Sequence, residues 1–386
     1  LKLDIFLPYL YYDITLLNDL SLTIDAVGPK LNGSVGLQRA QHDQFYVEGL
    51  TLDAVTAGGL LTTTLRIVQN EVERYRIGTE LRAENDMRLL HIQEELVLNE
   101  QTWSADAQNV LRFSKRTMEA EHFTLSSGAE QVQLSTGAEH LTVALKQFEI
   151  GTLARIVSTM DSIPLAEGTI DGEILVPNDG TGLVRADLTI DDLHALGTEL
   201  GQLTIAMKQP QRDRYAAKLD LSHTSNRLNA LVTITTGTAT EVDASADLDL
   251  KDLSFLKPFV DEYLYDLSGG VKGDVAYRLK NAKTTMNGDL TFVNAGIGVE
   301  MTGARYTLAN ERLTMDDAGA HFNNFNLRDT LGNTFNLDGD VGMTNPAQPK
   351  LDLRLRTDKF QMINSTFKQN ELFYGDLFSS MDIRIS

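Results

Sequence analysis

Apolar and polar residues alternate one by one along almost the whole chain, the pattern of strands with one buried face. In "LKLDI" the apolar places are Leu1, Leu3 and Ile5; in "LNGSVGL", Leu31, Val35 and Leu37; in "LTVAL", Leu141, Val143 and Leu145; in "VRADLTI", Val184, Ala186, Leu188 and Ile190. "KLDLS" (Leu219, Leu221), "ADLDL" (Ala246, Leu248, Leu250), "VKGDVAYRL" (Val271, Val275, Tyr277, Leu279) and "LDLRL" (Leu351, Leu353, Leu355) continue it. Turn clusters separate the runs: "PNDGTG" at 177–182, "LGN" at 331–333 and "TNPAQP" at 344–349. The chain reads as an all-β antiparallel meander.

Two segments break the period. "LARIVSTMDSI" (153–163) and "LSFLKPFVDEYLYDL" (253–267) space their apolar residues by three and four, which predicts short one-sided helices. Residues 67–100 are charge-rich, and the alternation of "RIGTELRAEN" assigns them to strands.

The pattern also repeats. "HFTLSSGAEQVQLSTG" (122–137) and "NFNLRDTLGNTFNLDG" (324–339) share a Phe-x-Leu strand, a turn and a second strand ending in Gly, with the turn displaced by one residue. Each follows an Asn-Glu turn, Asn99-Glu100 and Asn310-Glu311, and each precedes a Leu-rich strand ending near a Phe. A strand end, a short helix and a G-x-I/V-x-G-x-I/V strand recur at 148–176 and 248–277. Related modules of this size predict an array of stacked units.

Composition narrows the function classes. The 386 residues hold 54 acidic and 34 basic side chains, a formal charge of -20, which argues against a nucleic-acid partner. No run approaches the roughly 20 apolar residues of a membrane-spanning helix. Cysteine is absent, which removes disulfides, thiol catalysis and thiolate metal sites; it suits an oxidising Gram-negative envelope, and many cytosolic proteins lack it too. Both ends alternate as strands do, so the sequence reads as an internal segment of a longer polypeptide.

Residues 303–341, "GARYTLANERLTMDDAGAHFNNFNLRDTLGNTFNLDGDV", with "PKLDLRLRTDKFQMIN" (349–364) behind them, resemble the TamB family of the AsmA-like superfamily of bridge-like lipid-transfer proteins. The pattern is Tyr306-x-Leu308 before Asn310-Glu311, then Phe325-x-Leu327, Asp329, Gly332-Asn333, Leu337-x-Gly339 and the strand into Phe360. "FEIGTLARI" and "LKDLSFLKPF" are similar to the strand-to-helix joints of that family. The resemblance covers residues 95–386 as repeats continuing beyond the C-terminus, whereas 1–95 fit by alternation alone, as an N-terminal part of the same groove. It implies an elongated antiparallel β-taco, a sheet bent into a U-shaped groove with an apolar inner wall, in the periplasm of a Gram-negative bacterium. It further implies an inner-membrane anchor and a TamA-like outer-membrane barrel partner, both engaged through regions outside this sequence.

An apolar wall has a physical use. One buried methylene contributes about 0.8 kcal/mol, so an acyl chain of about 16 carbons entering water faces on the order of 12 kcal/mol. Some 25 strands spaced by roughly 4.8 Å would carry such a wall on the order of 100 Å. The expected function is a segment of a lipid-transport bridge that shields phospholipid acyl chains between the two membranes. The expected lining is Leu141, Val143, Leu145, Val184, Leu188, Ile190, Leu248, Leu250, Val271, Val275, Phe335, Leu337, Leu351, Leu353 and Leu355. The alternatives are a scaffold for assembling outer-membrane barrel proteins and a surface adhesin array; an adhesin calls for aromatic platforms or calcium loops.

Catalysis finds no motif: Gly-x-Ser-x-Gly, Gly-x-x-x-x-Gly-Lys and His-Glu-x-x-His are all missing. No cofactor or metal is called for. The seven histidines lack ligand spacing, and His122 and His321, each before a Phe, read as outward and solvated. Asp243, Asp247 and Asp249 fall on one strand face, too flat for calcium. Trp103 is assigned to packing, and Gly172, Gly269, Gly270, Gly273 and Gly339 to bends or bulges.

Overall fold

A computed structural model describes residues 1–12, 15–43, 45–115, 117–156, 158–159, 164–178, 183–237, 239–261, 263–281, 283–342, 350–368 and 374–386. The fold is all-β and antiparallel, with a few helical turns. It divides into two compact units, Leu1–Gly197 and Thr198–Ser386. Among the described residues, no helix is long and apolar enough to cross a membrane.

The first unit begins with β1 (Lys2–Tyr12), β2 (Thr15–Val27), β3 (Lys30–His42), β4 (Phe45–Ala57), β5 (Leu60–Gln69) and β6 (Val72–Glu84), each paired with the next. Beyond β6 the sheet forks. One branch runs through β7 (Met87–Ile92), β10 (Val110–Phe113) and β11 (Met118–Glu121); the other through β8 (Glu95–Leu98), β9 (Gln101–Ala105) and β12 (Phe123–Ser127). Asn109 holds the corner between them: its amide donates to the Ile92 carbonyl at 2.7 Å and accepts from the Ile92 N–H at 2.8 Å. From β12 the sheet continues through β13 (Glu130–Thr136), β14 (His140–Glu149), β16 (Ala166–Pro177) and β17 (Arg185–Ala195).

Between β14 and β16 lie α1 (Gly151–Ala154) and the two-residue β15 (Ser158–Thr159), which pairs with Phe45 and Tyr46 of β4. The expected helix over 153–163 is therefore a single turn, with strand where the helix would have continued; residues 157 and 160–163 lie outside the described residues. The crossing to β4 and the core beneath it show this unit's sheet curling over its apolar face. Ile67, Tyr75, Leu96, Leu98, Trp103, Ala105 and Phe148 form one cluster, onto which Ile156 packs. Trp103 is fully buried, its ring 5.8 Å from that of Phe148. The Tyr75 hydroxyl donates to the Thr152 carbonyl at 2.9 Å.

The second unit is a meander of β18 (Thr198–Gln211), β19 (Arg214–His223), β20 (Asn226–Thr235), β21 (Glu241–Leu250), β22 (Leu264–Lys280) and β23 (Lys283–Val299). The long β23 then faces two short strands, β24 (Arg305–Leu308) and β25 (Arg312–Asp316), and both rejoin at β26 (Gly319–Arg328). Next come β27 (Thr334–Gly342), β28 (Lys350–Ser365) and β29 (Gly375–Ile385). The expected helix over 253–267 is a 3-10 turn at Ser254–Leu256 and the four-residue α2 (Lys257–Val260). Pro258 is tolerated at a helix start, and from Leu264 the chain is already paired with β23.

Residues 67–100 form strands, as their alternation predicts. The "LGN" turn joins β26 to β27, while 179–182 of "PNDGTG" and all of "TNPAQP" lie outside the described residues. The repeated hairpins keep their displaced turn. Phe123 faces Leu134, eleven residues on, and Phe325 faces Leu337, twelve on; both phenylalanines are buried.

Candidate functional site

In an antiparallel ladder, residues directly opposite one another share a face, so register tells which side chains form one surface. In the second unit that surface can be followed strand by strand. Leu203, Ile205 and Met207 of β18 face Leu221, Leu219 and Ala217 of β19, which face Leu228, Ala230 and Val232 of β20. These face Leu248, Ala246 and Ala244 of β21, and Leu248 and Leu250 then face Gly273 and Val271 of β22. Gly273 and Val271 face Leu290 and Phe292 of β23, and Leu290 leads through Leu313 to Phe322. Beyond a bulge, Phe335, Leu337 and Val341 face Thr357, Leu355 and Leu351, and Leu353 and Leu355 face Ile385 and Ile383. One apolar face thus runs through the unit from β18 to β29.

The first unit has its counterpart. Leu141, Val143 and Leu145 face Val176, Ile174 and Gly172, which lead to Ala186 and Leu188, with Ile170 facing Ile190. Val184, just before β17, is half-buried. Further along, Leu3, Ile5 and Leu7 face Ile24, Leu22 and Leu20, and the last two face Val35 and Leu37.

The structure thus places the sequence-selected residues of each unit, Val184 aside, on one face, and it divides them by coverage. Leu141, Ile190, Leu250, Val271 and Leu353 are buried. Leu250 and Val271 sit in the cluster of Leu253, Leu267, Leu308 and Phe325, against which Phe255, Leu256 and Val260 of the helical turns pack. Val143, Leu145, Leu188, Leu248, Val275, Phe335, Leu337 and Leu355 are half-buried, and Leu351 is 38% exposed. The wall of β18, β19 and β20 was not selected from sequence. None of the apolar wall residues of β18, β19 and β20 is buried. The alternation of "KLDLS" signals these positions, but periodicity does not distinguish a wall that is covered from one that is not.

Four places on the wall carry a glycine between two large side chains: Leu145–Gly172–Leu188, Leu248–Gly273–Leu290, Val275–Gly288–Met315 and Phe322–Gly339–Leu353. Gly273 has φ +143°, and a Cβ there would lie 1.8 Å from the Asp289 carbonyl oxygen. Gly339, at φ +120°, would meet that of Asp352 at 2.0 Å. Only glycine allows this backbone approach. Gly273 keeps ladder register on both sides, whereas Gly172 and Gly339 each pair at the edge of a register break, as expected of bends or bulges. Gly269 likewise lies at a register break, in β22.

The opposite face is polar and held by ion pairs across strands. Arg354 meets Asp382 at 2.7 Å, Arg384 meets Asp352 at 3.0 Å, and Arg312 pairs with Asp289. The hydrogen bond from Arg312 holds the Asp289 carboxyl below the usual range, and that from Arg354 does the same for Asp382. All these groups are solvated, so each pair adds little stability. Asp243, Asp247 and Asp249 are exposed on this face, with Asp243 paired to Arg278. His122 is exposed; His321 instead bridges two carboxylates, Asp340 at 2.6 Å and Asp316 at 2.9 Å.

Asp329 is a buried carboxylate in the turn between β26 and β27. Burial pushes its pKa up. Hydrogen bonds from the Asn333 side chain and from the N–H groups of Gln361, Asn333 and Leu331 outweigh that and hold it below the usual value. Its role is to tie the turn to β28.

Comparison with protein-family models, with curated proteins and with solved structures found no match.

Proposed function

We propose that the apolar walls hold and shield lipid acyl chains, as a segment of a TamB-like lipid-transport bridge in the periplasm of a Gram-negative bacterium. The observation that carries this reading is the wall of β18–β20, apolar through three strands in register and buried nowhere. Soluble monomers rarely expose contiguous apolar surface beyond a few hundred Å², and larger surfaces mark interaction sites. The opposite face supplies the contrast, with charges paired across strands and well solvated. Such a surface suits a ligand that is long, apolar and without fixed shape, since it offers area and no directional contacts.

The reading assigns the residues no catalytic role. They lower the cost of keeping an acyl chain out of a bilayer, about 0.8 kcal/mol for each methylene covered. The U-shaped groove, the inner-membrane anchor and the TamA-like partner belong to the same proposal and rest on the resemblance of residues 95–386.

The test is organic extraction and mass spectrometry of lipid carried by the purified protein, beside a β-sandwich of matched size. Phospholipid well above the control is the expected result. Folded protein that comes clean and refuses added lipid would overturn the reading and favour a scaffold for barrel-protein assembly.

A further inference from the structure

The open wall of the second unit has two unlike ends. At the turn between β19 and β20 it runs into a small hollow bounded by Leu200, Leu221, Leu228, Leu250 and Phe255. The hollow has room for little more than one methyl group. Phe255 belongs to the helical turn that packs over the Leu250 cluster. That turn is firmly held. The buried Asn226 accepts the N–H groups of Lys251 and Asp252 at 2.8 and 3.0 Å and donates to the Asp252 carbonyl at 2.9 Å, and the Leu253 N–H donates to the Gly269 carbonyl at 2.9 Å. Of the charged groups at the hollow, His223 meets Glu199 at 3.3 Å, and Arg227 stands opposite Asp249 in the ladder, on the polar side.

Toward the other end, exposure rises. Leu250 is 5% exposed and Ile234 is 37% exposed. Here stand the hairpin ends of β18–β19 and β22–β23, with Lys208, Arg212, Arg214, Arg278, Lys280 and Lys283. The carboxylates of this rim are Asp213, Glu241, Asp243 and Asp317; Glu241 is engaged by Lys280 at 3.4 Å, Asp243 by Arg278, and Asp317 accepts from the Asn287 amide at 3.3 Å. In a chain of net charge -20 this rim is an island of excess positive charge. The register places Lys208, Arg214, Arg278, Lys280 and Lys283 on the polar side; Arg278 and Lys280 are held there by their carboxylates, and at a strand end the long stems of Arg214 and Lys283 have the length to reach over the edge.

The geometry points to an oriented site for one anionic lipid, its acyl methyl end in the hollow under Phe255 and its phosphate at the basic hairpin ends. This rests on the lipid-shielding reading and adds to it an orientation and a headgroup charge. Length agrees. The six residue steps of strand from Tyr215 to Leu221 span about 20 Å, and one leaflet of a bilayer's roughly 30 Å hydrocarbon core is about 15 Å. A closed apolar end, an open apolar run and a cationic rim follow the order of parts in a phospholipid.

The experiment places a tryptophan at either end, Phe255→Trp or Tyr215→Trp. Each variant is incubated with phosphatidylglycerol brominated near the chain methyl or near the glycerol, and bound lipid is counted by native mass spectrometry. Trp103, fully buried in the first unit, supplies a constant background. Methyl-end bromine is expected to quench the tryptophan at 255 more than that at 215, and glycerol-end bromine to do the reverse. Equal or inverted quenching with lipid bound would overturn the orientation and leave the lipid-shielding reading standing; absence of bound lipid would overturn both. Leu200→Trp provides a second reporter in the hollow should Phe255→Trp fail to fold. Arg212→Ala with Arg214→Ala is expected to lower the preference for phosphatidylglycerol over phosphatidylcholine by about threefold. An unchanged preference would overturn the headgroup assignment.

Discussion

The carboxylate of Asp329 accepts the backbone N–H of Gln361 at 2.9 Å, so a turn in one hairpin is fastened to a strand 32 residues further on. The same carboxylate takes the N–H groups of Leu331 and Asn333. Asp329→Ala leaves these donors without an acceptor, and the expected loss is about 2 kcal/mol in urea unfolding. Asp329→Asn, which keeps one acceptor oxygen, should lose less. The folded carboxyl is held below its ordinary pKa, so its contribution is present above the unfolded value and is lost as pH falls through the folded one.

His321 gives the opposite sign. The hydrogen bonds of Asp340 and Asp316 raise its pKa above 6.5. The protonated ring therefore stabilises the fold fully below its unfolded pKa, and that contribution fades as pH rises through the raised folded value. His321→Gln should flatten the dependence of Tm on pH above about 6.5. An unaltered slope would show that the bridge between β25, β26 and β27 contributes nothing.

Ile205 and Leu219 are opposite each other on the open wall and are half-buried. Changing both to Ser should lower retained lipid by about tenfold while costing less stability than a core substitution. Leu308→Ser removes a buried residue of the cluster on which the helical turns pack, away from the hollow, and it should instead register chiefly as a loss in thermal unfolding.

Gly273→Ala tests the backbone approach on the wall. With the added Cβ meeting the Asp289 carbonyl, the ladder between β22 and β23 must shift, and destabilisation beyond about 2 kcal/mol is expected from chemical denaturation. Gly332→Ala, in open space, should show only the strain of its φ of +87°.

The strands and their faces were legible because a period of two carries both. Leu248 and Leu250, or Leu351, Leu353 and Leu355, announce a shared face before any partner is known, and the ladders honour it. The helix over 153–163 was not legible. Its three- and four-residue spacing is produced by a chain that makes one turn, sends Ile156 into the core and crosses to pair with Phe45 and Tyr46, partners more than a hundred residues back. Coverage of the wall was illegible for a related reason. Leu221 and Leu250 have the same local pattern, and what separates a half-buried place from a buried one is a cluster that draws in Leu267, Leu308 and Phe325 from later strands.

From β18 to β23 every strand pairs with its neighbour in sequence. Strand number then acts as a ruler. Excising the two strands β19 and β20 would bring β18 against β21 still antiparallel, and the surface would shorten by about 10 Å. Duplicating them would lengthen it by the same step. A gene encoding such a meander can change the reach of its product by whole hairpins, each addition needing agreement only with the strands on either side.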